Sequence, residues 1–336
     1  MKIQLVGLGH VGRSLVELID EKKKLLKSQG LVLSVVSVSD SRGTAVDEDG
    51  LSPAEILSHK RGGWKGFRKF VEGFSALDAV RKIECDVTVE LTPSTLNGEP
   101  GLSNIKAALT AKKSVVTANK GPLVVAYGEL ARMAKKNRVR LLYEATVGAH
   151  VPVFCMVESC FKADELQNVR GILNATTNYV IGQMENGKGF QEAITEAVRA
   201  GWAETNYSDD VDGIDSARKL VIIANSLFRE HASLRDVKIE GIRQVEALVK
   251  AAHIQNRKVK LICEISKNQN KLEMTVSPKK VAPDDPLATV NEGNMAIEYT
   301  FKTSKKIFVS AQFLGPKQTA YAVLNDIVRI GAQSTC

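Results

Sequence analysis

The chain has 336 residues, 44% hydrophobic and 25% charged, a length and balance that suit two soluble domains with sizeable cores. No run approaches the roughly 18 uninterrupted apolar residues of a membrane span, and the opening Met1-Lys2-Ile3-Gln4-Leu5-Val6-Gly7 lacks the charged start and cleavage site of an export signal. Basic residues number 46 against 38 acidic, a net charge of +8, yet the basic runs (Lys22-Lys23-Lys24, Lys279-Lys280, Lys305-Lys306) are short, scattered and free of interleaved aromatics, which argues against a nucleic-acid surface.

The first 150 residues alternate in type. Ile3–Val6 reads as an apolar strand, and Val11–Leu26 carries apolar residues at helical spacing. Leu31–Val38 is rich in β-branched residues, and Asp86–Leu91, Ser114–Thr117 and Arg138–Glu144 are further strand-like runs. Asn104–Ala111 and Tyr127–Lys136 read as helices between them, so the pattern predicts βαβ units and a parallel sheet. Asp40–Trp64, rich in Gly, Ser, Asp and Lys, reads as a long loop with a short helix. A boundary falls at Pro152, after Val147-Gly148-Ala149-His150. Beyond it, a strand over Val169–Leu173 precedes helices at Phe190–Ala200 and Asp215–Phe228, joined by the acidic connection Gly201–Gly213. Alternation at Lys260–Ile265, Lys271–Val276, Ala296–Phe301 and Lys306–Phe313 predicts an antiparallel sheet, and Thr319–Gly331 closes the chain as an amphipathic helix. Cys85, Cys155, Cys160, Cys263 and Cys336 are odd in number and without CxxC spacing; four of them lie in apolar surroundings and read as small buried hydrophobes in a reducing cytoplasm.

Gly7-Leu8-Gly9-His10-Val11-Gly12 fits G-x-G-x-x-G directly after a strand and opening a helix, the context in which that spacing cradles a dinucleotide pyrophosphate. His10 and Val11 lie in this loop, His10 as a residue facing the cofactor rather than a base. The second strand ends at Asp40-Ser41-Arg42. An acid there would accept from a ribose 2′-OH and favour NAD, whereas Arg42, with Lys60 in the next loop, would favour the 2′-phosphate of NADP. NADP is the expectation and NAD remains possible.

Lys120, in Thr117-Ala118-Asn119-Lys120-Gly121-Pro122, stands at the carboxyl end of a strand, where ligands sit in open α/β sheets. Asp215 and Lys219 are i,i+4 and share one helix face, either as a surface ion pair or as a half-buried pair tuned for proton transfer.

In combination these pieces resemble the homoserine dehydrogenase family. The matching stretches are Gly7–Gly12, Thr117–Pro122, Glu144–Ala149, Gly171–Tyr179, Gly201–Glu204 and Asp210–Lys219. The resemblance implies an α/β fold: a Rossmann-type nucleotide domain over 1–150, a mixed α/β substrate-binding and dimerisation domain over 151–310, and a segment over 311–336 returning to the first. It implies NAD(P)H-dependent, reversible reduction of L-aspartate 4-semialdehyde to L-homoserine, in threonine and methionine biosynthesis. It casts Lys219 as proton donor, Lys120 as the second lysine beside cofactor and substrate, Glu204, Asp210 and Asp215 as carboxylates facing the amino acid, and Thr176 as a substrate contact. Thr92, Gly201 and Gly315 join the cofactor set. Glu144, Val147, Ala149 and Val151 fall where the family binds a monovalent cation such as sodium, mainly through backbone carbonyls. A cytoplasmic homodimer acting on a small amino acid, with no nucleic-acid or membrane partner, completes the expectation. The alternatives are a related dehydrogenase of another small amino-acid aldehyde or imine, and a non-catalytic dinucleotide sensor. The chain departs from the family's usual pattern at Ala175, His150, Asn206-Tyr207 and the turn Gly315–Ala320.

Overall fold

The computed structural model describes residues 1–64, 66–268 and 271–333, without the side chains of 60–62 and 333. It divides into two compact units, Met1–His150 with Gly315–Cys336, and Val151–Leu314.

The first unit is built on seven strands, β1 (Lys2–Val6), β2 (Ser34–Ser39), β3 (Gly43–Val46), β4 (Phe70–Glu72), β5 (Val87–Glu90), β6 (Ser114–Thr117) and β7 (Leu141–Leu142), in the order β4-β3-β2-β1-β5-β6-β7. From β2 to β7 all neighbours are parallel, with Leu5 beside Val38 and Val89. The chain leaves β1 for β2 on one side and returns to β5 on the other. The carboxyl ends of β1 and β5 therefore form the switch point where open sheets take their ligands.

The loop predicted over Asp40–Trp64 holds its short helix, Pro53–Gly62, and also the strand β3, with β4 following it. β3 and β4 add an antiparallel edge, with Gly43 opposite Glu72. Gly43 looks like a turn residue in sequence, but a Cβ there would meet the Val71 carbonyl at 2.3 Å, so its absent side chain makes room for β4. The predicted single helix over Val11–Leu26 is two, His10–Glu21 and Lys23–Ser28, meeting at Lys22. The helix expected from Tyr127 begins at Lys120 and runs to Asn137. Ile3, Leu5, Val87 and Val89, all fully buried, share one core with Leu15 and Val16 of the first helix. Ala320, Val323, Leu324 and Ile327 of the last helix, Pro316–Gln333, complete it.

The second unit carries β8 (Leu166–Ile172), β9 (Val237–Ile239), β10 (Lys258–Asn268), β11 (Lys271–Val281), β12 (Met295–Phe301) and β13 (Lys305–Ala311), ordered β13-β12-β8-β10-β11-β9. All pairs are antiparallel except the edge pair of β11 with β9. Arg170 lies opposite both Glu264 and Glu298, and its guanidinium grips Glu298 (Nε–Oε1 2.7 Å) and Asp285 (Nη1–Oδ2 2.7 Å). The helix Ala175–Glu185 had no clear sequence signature. Its residues from Thr176 to Ile181 are buried on every side, so no amphipathic stripe marks it.

Of the cysteines, Cys263 alone among the described residues is buried; Cys85 and Cys155 are half-buried and Cys160 is exposed, which corrects the expectation of four buried thiols. Cys336 lies outside the described residues. Among the described residues no helix is long and apolar enough to cross a membrane.

Candidate active site

In the first unit the three loop glycines answer to different constraints. A Cβ on Gly7 would meet the Leu91 backbone at 2.7 Å, and one on Gly12 would meet the Gly7 carbonyl at 2.4 Å. Gly12 is required by the packing of the turn itself, and Gly7 by the close approach of the chain that follows β5. Around Gly9 nothing lies within 4 Å, so the chain leaves that space open. Gly9 is also the cap of helix His10–Glu21, contributes no capping side chain, and is followed by a first turn without acidic residues. An open approach to an unopposed helix N-terminus fits an anionic pyrophosphate. His10 is exposed beside Arg13 (3.3 Å), and Val11 packs partly into the core.

The Asp40 carboxylate, 4% exposed, is already engaged. It accepts from the Arg42 backbone (2.9 Å), the Trp64 indole (2.8 Å) and the Arg42 guanidinium (3.4 Å), while Arg42 itself is 48% exposed. Trp64 stacks on Phe70 with ring centroids 4.8 Å apart. Lys60, the other expected 2′-phosphate contact, has its side chain outside the described residues.

At the end of β5, fully buried Glu90 accepts from the Thr92 backbone N–H (2.8 Å), the Thr92 hydroxyl and Asn104 (2.9 Å). Burial nevertheless pushes its carboxyl above the ordinary range. Asn119 donates to Thr92 Oγ1 (3.2 Å) and accepts from Gly121 N–H (3.0 Å), capping the helix whose first residue is half-buried Lys120. Thr92 and Lys120 thus hang on one network. Glu90 carries no role in the sequence reading; its only signal is a carboxylate ending the β-branched run Val87–Val89.

In the second unit, Lys219 Nζ lies 2.8 Å from Asp215 Oδ2 and donates to the Leu173 carbonyl at 2.5 Å. Both side chains belong to buried residues, 9% exposed, so the pair is not a surface ion pair. Two of the lysine's three donors are used, leaving one for a substrate oxygen. Asn174, which lies in the matching stretch Gly171–Tyr179 but carries no role in the sequence reading, caps Ala175–Glu185 and donates to both Asp210 (2.7 Å) and Asp215 (3.0 Å). Burial, then the charge of Asp215, pushes the Asp210 carboxyl up. Thr176, 6% exposed, donates to the Trp202 carbonyl at 2.7 Å. Glu204, two residues on, is exposed and outside this hydrogen-bonded set among the described residues. Gly201 (φ +78°) ends the preceding helix, and Gly315 (φ +130°) precedes the last helix in the first unit.

Glu144, Val147 and Ala149 are buried, with Ala149 left-handed at φ +52°. Glu144 N–H donates to Asp326 Oδ2 (2.9 Å). Val151 opens the second unit. Val147, Ala149 and Val151 have only carbonyls to offer a cation, and among the described residues no cluster of three or more His, Cys, Asp or Glu could hold a metal.

Two family models match the chain, one described as the homoserine dehydrogenase NAD-binding domain over residues 7–144 and one as homoserine dehydrogenase over 152–328. The chain is 37% identical to a homoserine dehydrogenase of Methanocaldococcus jannaschii, across 98% of each chain. It is 32% identical to an NAD(+)-dependent homoserine dehydrogenase of Pseudomonas canavaninivorans, across 99% of this chain and 97% of that one. The crystal structure of the Thermoplasma acidophilum homoserine dehydrogenase superposes with a TM-score of 0.85 at 29% identity, over 98% of this chain and 99% of that one. With both units matched and the glycine loop and the Asp215–Lys219 pair in place, the chain belongs to the homoserine dehydrogenase family.

Proposed function

We propose that the chain interconverts L-aspartate 4-semialdehyde and L-homoserine, the step shared by threonine and methionine biosynthesis, with NADP as the preferred cofactor. The buried Lys219–Asp215–Asn174–Asp210 network carries this reading. A nicotinamide cofactor, when bound, supplies or accepts the hydride. Reduction at the aldehyde carbon leaves an alkoxide, and Lys219 gives that oxygen its proton; in oxidation Lys219 takes the proton back. Asp215 holds the lysine in place. Asp210 and Asp215, tied together by one amide, present negative charge to the substrate's ammonium, and Glu204 and Thr176 complete its contacts. Lys120 offers a second positive charge to the developing alkoxide. Gly7, Gly9, His10, Val11, Gly12, Thr92, Gly201 and Gly315 take the cofactor, with Arg42 and Lys60 at its 2′-phosphate.

Glu144, Val147 and Ala149 hold a monovalent cation by their carbonyls; sodium dependence of the rate, absent in choline buffer, tests this. The working form is a cytoplasmic homodimer, a reading supported by the family pattern and tested by light scattering. For the reaction itself, L-homoserine with NADP⁺ and with NAD⁺ is followed by nicotinamide absorbance. Turnover with NADP⁺ favoured is expected. No turnover of homoserine with either cofactor would overturn the assignment.

A further inference from the structure

Lys260 of β10 is a cation in the core of the second unit. It is 1% exposed, and Nζ donates to two uncharged oxygens, the Val290 carbonyl (2.6 Å) and Asn178 Oδ1 (3.1 Å). Beside it lies an apolar cluster of Ile172, Ile262, Val281, Leu287, Val290 and Ala296. A buried ammonium is among the costliest groups to fold away, and an apolar side chain of similar volume is often as stable or more so. Stability therefore does not explain a lysine here.

Its contacts lead towards the substrate residues. Asn178 donates to the carbonyls of Val290 and Asn294, each at 3.1 Å, so Lys260 and Asn178 together grip both ends of the 290–294 turn. Within that turn Gly293 lies against Trp202: a Cβ on Gly293 would be 2.1 Å from the indole ring. Trp202 also stacks on Tyr179, the neighbour of Asn178, with centroids 5.7 Å apart. The Trp202 carbonyl receives the Thr176 hydroxyl, and the chain runs on through Ala203 to Glu204.

We propose that Lys260 is a positioning residue for substrate: by fixing the 290–294 turn against Trp202, it sets Thr176 and Glu204 where they meet the amino-acid end of homoserine. The inference rests on the reading of Thr176 and Glu204 as substrate contacts. Lysine suits the task because its ammonium holds two oxygens that no apolar residue could bridge.

The test uses the full chain. Lys260→Met should raise the KM for homoserine about tenfold or more, the pattern left when binding common to ground and transition states is lost, with kcat nearly unchanged and NADPH affinity intact. Gly293→Ala, with Lys260 present, should produce the same rise by pushing the indole directly, and it decides the matter if Lys260→Met does not fold. Wild-type KM in either folded variant, or parallel losses in kcat and NADPH affinity, would overturn the proposal. A second readout needs no activity. The chain has two tryptophans, so a Trp64→Phe background leaves Trp202 as sole emitter. Lys260→Met, or Gly293→Ala where that variant alone folds, should then make Trp202 more accessible to acrylamide. Unchanged quenching removes the link to Trp202 even where homoserine is turned over. Increased quenching in a chain that does not oxidise homoserine would instead keep the link and strike the reaction assignment.

Discussion

Lys219 Nζ lies 2.8 Å from Asp215 Oδ2, one helical turn away, and each residue is only 9% exposed. An exposed pair is worth about 0–1 kcal/mol, whereas removing one partner of a buried pair costs about 3–5 kcal/mol through the charge left behind. Lys219→Met should therefore lower both turnover and melting temperature, the rate by on the order of 10²–10⁴-fold. The double variant Lys219→Met/Asp215→Asn should recover much of the stability and none of the rate. Restored rate in the double variant, or near wild-type turnover in the single, would show that the pair is structural.

The engagement of Asp40 by the Trp64 indole bears on cofactor choice. A carboxylate accepting from Trp64 and Arg42 is a poorer acceptor for a ribose 2′-OH, while exposed Arg42 suits a 2′-phosphate. Arg42→Ala should weaken NADPH binding by roughly 1–3 kcal/mol, the scale of a lost charged hydrogen bond, and leave NADH nearly unaffected. Trp64→Phe, which keeps an aromatic ring at the site and removes the N–H, should improve NADH binding relative to NADPH. Both are read by titrating nicotinamide fluorescence. Equal loss of the two cofactors in Arg42→Ala would remove the phosphate assignment.

How far these sites were readable from sequence depends on the range of their contacts. The glycine loop was legible because part of its spacing reflects crowding within the loop itself, Gly12 against Gly7 five positions away. Asp215 and Lys219 were legible because one helical turn joins them. The bridging role of Asn174 was not, since its partners are carboxylates 36 and 41 positions away. Lys260 opens the alternating run Lys260–Ile265, and a period of two puts Lys258 and Lys260 on one face of that strand. Lys258 is exposed, but the chain around Val290 covers Lys260. The strands β3 and β4 were hidden for a related reason, as Gly43 reads as a turn until a neighbouring strand is seen to need its space.

Lys260 also gives a pH dependence with a definite sign. Burial lowers it from its ordinary 10.5 to about 8; Glu185 opposes the shift and Lys258 adds to it. Between those values the unfolded chain holds a proton that the folded chain has lost, so stability rises with pH. The cost of burying the cation, on the order of 3 kcal/mol at about 1.4 kcal/mol per unit, is fully present below about pH 8 and fades towards 10.5. Lys260→Met should accordingly melt above wild type at pH 7, and the gap should close as the pH approaches 10. A gap independent of pH would mean that Lys260 keeps its proton throughout.

Lys120 begins its helix because Asn119 caps it, and Asn119 is held through Thr92 to buried Glu90. That chain of contacts leaves Lys120 half-buried at the carboxyl end of β6, with its place set by the fold rather than by solvent. If its charge acts on the alkoxide, Lys120→Ala should reduce kcat and kcat/KM alike, because the interaction exists only in the transition state. The variant combined with Lys219→Ala should lose less than the sum of the two single losses, since both lysines would serve one oxygen. Asn119→Ala, which frees the helix end without removing the amine, should reproduce part of the kcat effect and cost about 1 kcal/mol of stability as a lost cap. Steady-state kinetics of homoserine oxidation, with NADP⁺ affinity measured separately, decides between the roles. A change confined to the KM for NADP⁺, or strict additivity with Lys219, would make Lys120 a cofactor-binding residue and leave the proton and the charge to Lys219 alone.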